Sequence, residues 1–352
     1  MKTKSTLALW LMLLTTTLFW SCRTAQTSME VLTPAEINVP SHIQSVAVAN
    51  RSLPGTRADR ILNVLEGLVT GEPLFADREG SNHCVNGLIV NLNEGPRFTA
   101  VLATDERLFG TGTRQFPPAL SWSQVDSICK KYGVDALILL ETFDSNSKES
   151  EGSREVKRRR DGREYIEKVF VAEVCIDVNA GWRIYDNVNR RIIDQNVYLD
   201  GRCWTGEGQN IEAARRRLPS RRRAINDAGA FAGHQYALRI SPNWVRVNRT
   251  FFIGGHDGFK EARQHVRYNN WEAAVKIWEN LSRSNDRKIA GRAVFNLAVA
   301  AEVRGELDEA IRLVTRAKRE YHVREARGYL TALQRRKMDE QRLDQQMRSP
   351  EE

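Results

Sequence analysis

The sequence has few of the residues that build metal centres and none of the common catalytic signatures. Five cysteines and six histidines occur among 352 residues, with no C-x-x-C pair and no two histidines at a metal-binding spacing. A P-loop, a G-x-G-x-x-G turn, an H-E-x-x-H helix and a G-x-S-x-G elbow are all missing. We therefore expect no metal and no cofactor, and we predict that the protein is not an enzyme.

Two short segments look like fragments of binding sites. Gly110–Thr113 is a glycine-threonine turn, but it lacks the lysine and the helix that complete a phosphate loop, so a plain loop is favoured. His256 and Asp257 lie between glycines and provide half of a metal site. A polar joint between two domains is the favoured interpretation of that pair.

Cysteine is too sparse to staple the fold. Apart from Cys22, the chain carries Cys84, Cys129, Cys175 and Cys203. Four scattered cysteines in a chain of this length differ from the dense pattern of a disulfide-rich scaffold. We interpret them as single buried thiols, and the sequence leaves their pairing open.

Apolar runs of membrane-spanning length are missing after residue 22. Lys2 and Lys4 precede a run over 7–20 that is almost wholly apolar or threonine, and Ser21 stands before Cys22. This order is typical of a secretory signal peptide. The alternative is an uncleaved anchor, but the apolar core of about 14 residues is shorter than the roughly 20 needed to span a bilayer.

The segment Leu18-Phe19-Trp20-Ser21-Cys22 resembles the lipobox of bacterial lipoproteins. The resemblance implies that Cys22 is diacylated with fatty acids such as palmitate and becomes the acylated amino terminus. Several acyl chains would hold the product firmly to a membrane. Arg23 follows, without an aspartate that would retain the protein in the inner membrane. The resemblance therefore implies an outer-membrane anchor on the periplasmic side.

The net charge of +9 is largely due to arginine. Three clusters stand out, at 158–160, 215–217 and 221–223. Such clusters attract anionic polymers and lipid headgroups. Contact with anionic lipid or lipopolysaccharide is one interpretation, and a solvated helix face is the other. We expect no nucleic-acid partner, since aromatic residues do not alternate with the arginines at a stacking spacing.

The amino-terminal half has the pattern of an α/β domain. A helix from Ser121 ends at Gly133, and the apolar run 134–140 then predicts a strand buried on both faces. Residues 144–168 are charged and are interpreted as an exposed loop. Beyond them, strands over 169–178, 182–186 and 192–199, with turns at 179–181 and 187–189, predict an antiparallel meander.

This layout resembles the α/β domain of envelope assembly lipoproteins. Curli-secretion lipoproteins, the amino-terminal domain of the Tol-Pal propeller protein and lipoprotein activators of penicillin-binding proteins share it. The resemblance covers about residues 41 to 200 and rests on the early strand, the unit at 121–140 and the meander.

The carboxy-terminal part resembles the tetratricopeptide repeat. Ala262 and Ala274 are 12 residues apart, as are Ala298 and Ala310, and Ala317 follows seven residues later. Small residues at these positions let paired helices approach closely. Taken whole, the chain looks like a family of envelope lipoproteins that end in such repeats and have no assigned biochemistry.

The repeats are the predicted protein-binding part, because a short helical array presents a surface suited to extended or helical segments. For Trp271 and Trp278, seven residues apart, a core position is the competing interpretation. The candidate partner-binding residues are Trp271, Trp278, Arg292, Arg312 and Arg316.

The predicted fold class is α+β, with a sandwich-like α/β domain that contains an antiparallel meander, followed by an all-α repeat domain. The predicted segments are a signal peptide (1–21), a flexible tether (22–40), the α/β domain (41–205), a helical connector (206–257), the helical repeats (258–335) and a charged tail (336–352).

The favoured function is that of a lipid-anchored adaptor or assembly factor that binds other envelope proteins. One alternative is an envelope hydrolase or transferase with acids such as Asp135, Glu141 or Asp177 in a cleft. Another is a subunit of an export channel, which would require a long amphipathic hairpin facing the membrane.

The lipid anchor makes the first testable prediction. Replacement Cys22→Ser removes the thiol that accepts the acyl chains, so the variant should stay uncleaved by the lipoprotein peptidase and incorporate no labelled fatty acid in cells. Gel mobility and acyl labelling measure both effects. Normal labelling of the variant would show that another residue carries the lipid, or that none does.

Overall fold

The computed structural model describes residues 24–55, 76–112 and 114–348. The fold is mixed α and β, with a sheet domain followed by a helical region. The chain divides into two units. The α/β unit comprises 34–243 with the chain end from 345, and the helical unit comprises the first strand with 244–344.

The α/β unit contains five strands and four helices in chain order. These are β2 (Ser45–Asn50), α1 (Ala76–Glu94), β3 (Thr99–Leu102), α2 (Trp122–Tyr132), β4 (Ala136–Arg160), β5 (Arg163–Asp186), β6 (Arg191–Gly208), α3 (Ile211–Arg215) and α4 (Arg221–Ile240).

The helical unit contains two strands and five helices. These are β1 (Thr24–Thr33), β7 (Asn243–Phe252), α5 (Asp257–Arg267), α6 (Trp271–Leu281), α7 (Arg287–Val303), α8 (Leu307–Arg319) and α9 (Ala326–Met347). The last residues of α9 belong to the α/β unit.

The five-stranded sheet has the order β3-β2-β4-β5-β6. β2 is parallel to β3 and β4, whereas β4, β5 and β6 form the predicted antiparallel meander. The inner end of β4 is buried on both faces, since Ala136 to Leu140 are at most 1% exposed. The prediction of a buried strand after Gly133 is therefore confirmed, and Gly133 ends α2 in the left-handed conformation.

Helices α1 and α4 cover one face of the sheet, and they approach each other so closely that only glycine fits at the crossing. A Cβ on Gly229 would collide with the carbonyl oxygen of Gly80, and one on Gly233 with that of Cys84. Gly87 meets the backbone of Ala230 in the same way. The sequence prediction that the small residues of this segment allow close helix packing is thus confirmed.

The turn predicted at 179–181 is wrong. Residues 179–181 lie inside β5 and pair with 197–199 of β6. Gly181 is needed for close approach rather than for a turn, since a Cβ there would meet Thr142 Oγ1 and the ring of Phe116. A glycine inside a strand has this meaning when another group packs directly against the backbone.

The charged loop predicted at 144–168 is also wrong, because these residues form the outer halves of β4 and β5. Asp161 and Gly162 connect the strands with φ angles of 50° and 79°. A two-residue turn with both φ angles positive matches the twist of a hairpin. The alternation of a strand is hidden in the sequence because neither face of this part is buried.

Two of the cysteines are not single thiols. Cys175 and Cys203 face each other across β5 and β6 and form a disulfide. Their juxtaposition depends on the strand register, which the spacing of 28 residues does not reveal. Cys84 and Cys129 are free and buried, as expected. Burial raises the pKa of Cys129 to about 12, so this thiol is protonated at neutral pH.

The helical unit is built from two antiparallel helix pairs, α5 with α6 and α7 with α8, as the small-residue spacing predicts. Ala262, Ala274, Ala298 and Ala310 are all 0% exposed. Gly305 connects α7 to α8 with a φ of 80°. Small buried residues allow the close contact between helices that the repeat pattern requires.

Both ends of the described chain are more ordered in the structure than the sequence suggests. The tether predicted over 22–40 contains β1, which pairs with β7. The charged tail predicted from 336 continues α9 to Met347, and Gln346 is buried and bonds Ala35 and Asn38. Both predictions fail because the stabilising partners are distant in sequence.

The predicted connector 206–257 is only partly helical, since it contains the end of β6 and the whole of β7. The signal peptide, Cys22 and the predicted helix around 61–68 lie outside the described residues. Within the described ranges, every helix is too short or too polar to cross a membrane.

The α1–α4 crossing makes a second prediction. Gly233→Ala places a methyl group against the backbone of α1, and overpacking of this kind typically costs about 1–3 kcal/mol of unfolding free energy. The matched control is Gly328→Ala in α9, where a Cβ meets nothing within 4 Å. Alanine there should leave stability unchanged or raise it by up to about 1 kcal/mol. Urea unfolding measures both variants, and equal stabilities would refute the tight crossing.

Candidate functional site

The structure places the two predicted partner-binding tryptophans in or beside the core. Trp278 is 0% exposed and packs edge-on against Phe251. Trp271 is partly buried against Trp278, with ring centroids 6.4 Å apart. A fully buried side chain cannot touch a partner, so the assignment of Trp278 to a binding surface is wrong. The core interpretation holds for it because the two residues lie on one helix face.

The three predicted partner-binding arginines make contacts within the helical unit. Arg292 donates a 2.7 Å hydrogen bond to the Gly254 carbonyl and lies over the ring of Phe252. Arg312 pairs with Glu309, and Arg316 with Glu320. The structure does not bring these residues together into one site.

The acids considered for catalysis are also separated and engaged. Asp135 accepts hydrogen bonds from the backbone and hydroxyl of Ser45, whereas Asp177 is half exposed and pairs with Lys148. Glu141 is 0% exposed and is held by Arg51 and Arg183. They do not form a pair of carboxylates in one cleft.

The Glu141 cluster has a structural role. Arg51 donates to the carbonyls of Phe109 and Pro118, and Arg183 donates to that of Pro117. The two guanidinium groups therefore hold the segment before α2 against the sheet. Burial raises the pKa of Glu141 even though both arginines oppose the shift.

A second buried carboxylate, Glu302, ties three elements of the helical unit together. Arg249 of β7 donates two hydrogen bonds to it at 2.7 and 2.8 Å, Arg336 of α9 one at 2.6 Å and Tyr329 one at 2.7 Å. Burial alone would raise the pKa of Glu302, but these hydrogen bonds outweigh it and lower that pKa. All of these groups are used within the fold.

The described part of the helical unit contains a cleft of about 930 Å³. One wall is the start of β1, residues 24–28, and the other is one side of α5. The end of β7 closes the space between them with Phe251, Ile253 and Gly254. We call this space the basic cleft because its α5 wall carries Lys260, Arg263 and Arg267.

The basic cleft combines cations with hydroxyl groups and an apolar floor. Lys260, Arg263 and Arg267 follow the spacing that places residues on one helix face. Thr24, Thr27 and Ser28 provide hydroxyls on the opposite wall. No carboxylate lines the cleft. This set of groups suits the binding of an anion and offers no acid–base pair for catalysis.

The α/β unit has a second exposed feature, the outer part of the β4–β5 hairpin. β6 pairs with β5 only as far as Phe170, so the pairs from Arg154↔Val169 to Arg160↔Arg163 stand alone. We call residues 154–169 the ribbon. It extends about 20 Å beyond the three-stranded region, and it carries Tyr165 and Ile166, 46% and 62% exposed.

The three arginine clusters have different surroundings. Arg215 pairs with Glu151, Arg222 with Glu79 and Arg223 with Asp227, which fits the solvated-face interpretation for 215–217 and 221–223. The cluster 158–160 lies in the ribbon. There, Arg159 has no acidic partner within the described ranges.

One cysteine-containing group has the spacing of a metal site. Glu173, Cys175 and Cys203 place a ligand atom each within 4.8 Å of the others. The disulfide uses both sulfur atoms, so these cysteines offer no thiolate while it is intact.

Residues 43–252 match the family model of a domain of unknown function, DUF8603. This match covers more than half of the chain. The chain belongs to the DUF8603 family. Residues 260–336 match a second domain of unknown function, DUF6340, so the DUF8603 match ends at the last residue of β7 and the second begins within α5.

The other comparisons add little to the DUF8603 assignment. No curated protein matches the chain. Among solved structures, a Helicobacter pylori protein described as a neuraminyllactose-binding hemagglutinin homologue matches 56% of this chain and 83% of its own at 10% identity, with a TM-score of 0.23. A TM-score this low supports neither a shared fold nor a shared function.

Sequence reasoning missed both the basic cleft and the ribbon. The spacing of Lys260, Arg263 and Arg267 was a usable signal for the cleft, together with the hydroxyl-rich segment 24–28. The ribbon had a weaker signal, the Asp161-Gly162 turn between two charged segments.

The Glu302 cluster makes a third prediction. Glu302→Gln leaves Arg249 and Arg336 without their counter-charge, and breaking a buried ion pair typically costs about 3–5 kcal/mol of unfolding free energy. Glu309→Gln, which breaks the exposed pair with Arg312, is the control and should change stability little. Urea unfolding at neutral pH compares the two variants.

The pH dependence checks the cause. Because the pKa of Glu302 is lowered in the folded state, its stabilising contribution is complete above the unfolded value of 4.5 and is lost as the pH falls through the folded-state pKa. The stability difference between the parent chain and Glu302→Gln should therefore shrink in acid. A difference that stays constant would contradict the ionic explanation.

Proposed function

We propose that this chain is a lipid-anchored protein of the bacterial cell envelope that acts as an adaptor for other envelope proteins rather than as an enzyme. Its anchor is Cys22, and it faces the periplasm from the outer membrane. The observation that carries the adaptor role is the ribbon, which projects from the sheet and exposes Tyr165 and Ile166.

The disulfide supports an exported location. Disulfides persist in oxidising compartments such as the periplasm and are rare in the cytosol. Cys175 and Cys203 lie on adjacent strands at the exposed outer part of the sheet. This agrees with the signal peptide and lipobox expected for the first 22 residues.

The ribbon supports a binding role because no core stabilises it. A two-stranded hairpin is marginally stable by itself in water, and the ribbon buries no apolar face. Exposed tyrosine and isoleucine contribute nothing to the core there, whereas aromatic and aliphatic anchors contribute strongly to protein interfaces. A partner that covers Tyr165 and Ile166 would remove these side chains from water.

The charge of the ribbon favours an acidic partner surface. Basic residues outnumber acidic ones between 154 and 169. Lys157 lies opposite Ile166 on one face of the ribbon, and Arg159 points to that same face by strand alternation. An acidic protein segment that contacts Ile166 would pair with both cations.

Site-specific photocrosslinking in cells tests the proposal. A photoreactive residue at position 166 should yield a discrete adduct with an envelope protein. Val188, which is 67% exposed in the β5–β6 turn, is the matched control and should give none. Lys157→Glu with Arg159→Glu should abolish the adduct at 166, because the acidic partner is then repelled.

Two results would count against the ribbon as the partner surface. One is the same adduct pattern at 166 and 188, which would indicate random collision. The other is an adduct that persists in the doubly charge-reversed chain, which would exclude an acidic partner.

A further inference from the structure

The basic cleft is not used by the adaptor role of the ribbon, so its groups require a separate explanation. Asp257 pairs with Lys260 at 2.9 Å, and both side chains are largely exposed. Arg263 and Arg267 are exposed and have no ion pair within the described ranges. Two unneutralised guanidinium groups in a concave space free of carboxylates create a local positive potential.

The chemistry of the lining indicates the kind of anion. Guanidinium groups bind phosphate oxygens through two parallel hydrogen bonds, and the hydroxyls of Thr24, Thr27 and Ser28 can donate to the same oxygens. Ile253 and Val266 supply an apolar surface beside these polar groups. A phosphate attached to an apolar moiety fits this combination better than a bare inorganic ion.

The position of the cleft in the chain indicates where that phosphate resides. Thr24 is two residues after Cys22, and two extended residues span at most about 7 Å. If Cys22 carries the lipid, the β1 wall of the cleft therefore lies at the level of the membrane headgroups. Tyr268, next to Arg267, is 85% exposed, and exposed tyrosines are favoured at the membrane–water interface.

We propose that the basic cleft binds the phosphate of an anionic phospholipid headgroup, with Arg263 and Arg267 as the main ligands. The inference rests on the proposed lipid anchor, since the anchor brings the cleft to the headgroups. The bound headgroup would fix the orientation of the helical unit on the membrane, which a flexible acyl attachment by itself leaves free.

Vesicle cosedimentation tests this proposal with the unlipidated chain 23–352, which retains every described element of both units. This chain should bind phosphatidylcholine vesicles that contain phosphatidylglycerol and should not bind pure phosphatidylcholine. Each basic residue near an anionic surface strengthens binding about fivefold, so Arg263→Gln with Arg267→Gln should weaken it about 25-fold. Arg263→Lys with Arg267→Lys keeps both charges and should retain most of the affinity.

A matched control separates a built site from general attraction. Arg324→Gln with Arg335→Gln removes the same charge from exposed positions of the helical unit outside the cleft and should leave binding nearly unchanged. Ser28→Trp fills the cleft without changing the charge and should weaken binding at least tenfold. Circular dichroism verifies that each variant is folded.

Three outcomes would overturn the proposal. Equal losses in the two glutamine pairs would show attraction by net charge alone. Full binding by Ser28→Trp would place the contact outside the cleft. Thermal stabilisation of the chain by inorganic phosphate without any vesicle binding would identify a free phosphate as the ligand. The anchor is tested separately by acyl labelling of Cys22 in cells, so a failure of one does not hide a failure of the other.

Discussion

The antiparallel pairing of β4 with β5 is the interaction on which the α/β unit depends. At its inner end, this pairing places Ala136 to Leu140 between β2 and β5, where helices cover both faces of the sheet. In the middle it carries Glu141 and Arg183, which hold the segment before α2. At its outer end the same two strands form the ribbon. One continuous ladder thus joins the core to the exposed surface that we propose for partner binding.

Buried charge has a structural role in both units. Glu141 and Glu302 are each almost inaccessible to water, and each is bound by two arginines and a tyrosine. A buried carboxylate with this many donors is costly to separate from its partners. It therefore fixes the position of segments that are distant in sequence rather than supplying a reactive acid. The groups left for binding are those at the surface, in the ribbon and the basic cleft.

The two proposed contacts divide the work between the units. The helical unit contains the strand that follows the expected lipid attachment and the cleft that we assign to a phospholipid headgroup. The α/β unit contains the disulfide and the ribbon. A protein that binds the membrane through one unit and a partner through the other acts as an adaptor by its architecture, without a reaction.

Features set by neighbouring residues were predictable from the sequence alone. The glycine stop after α2, the buried run at 134–140 and the helix pairs with Ala298 and Ala310 depend on local spacing, and all appear in the structure. The Cys175–Cys203 bond, the pairing of β1 with β7, the ribbon and the basic cleft were decided by tertiary structure. Each of these joins residues far apart in the chain, and strand register or helix placement, which local patterns do not encode, determines which of them meet.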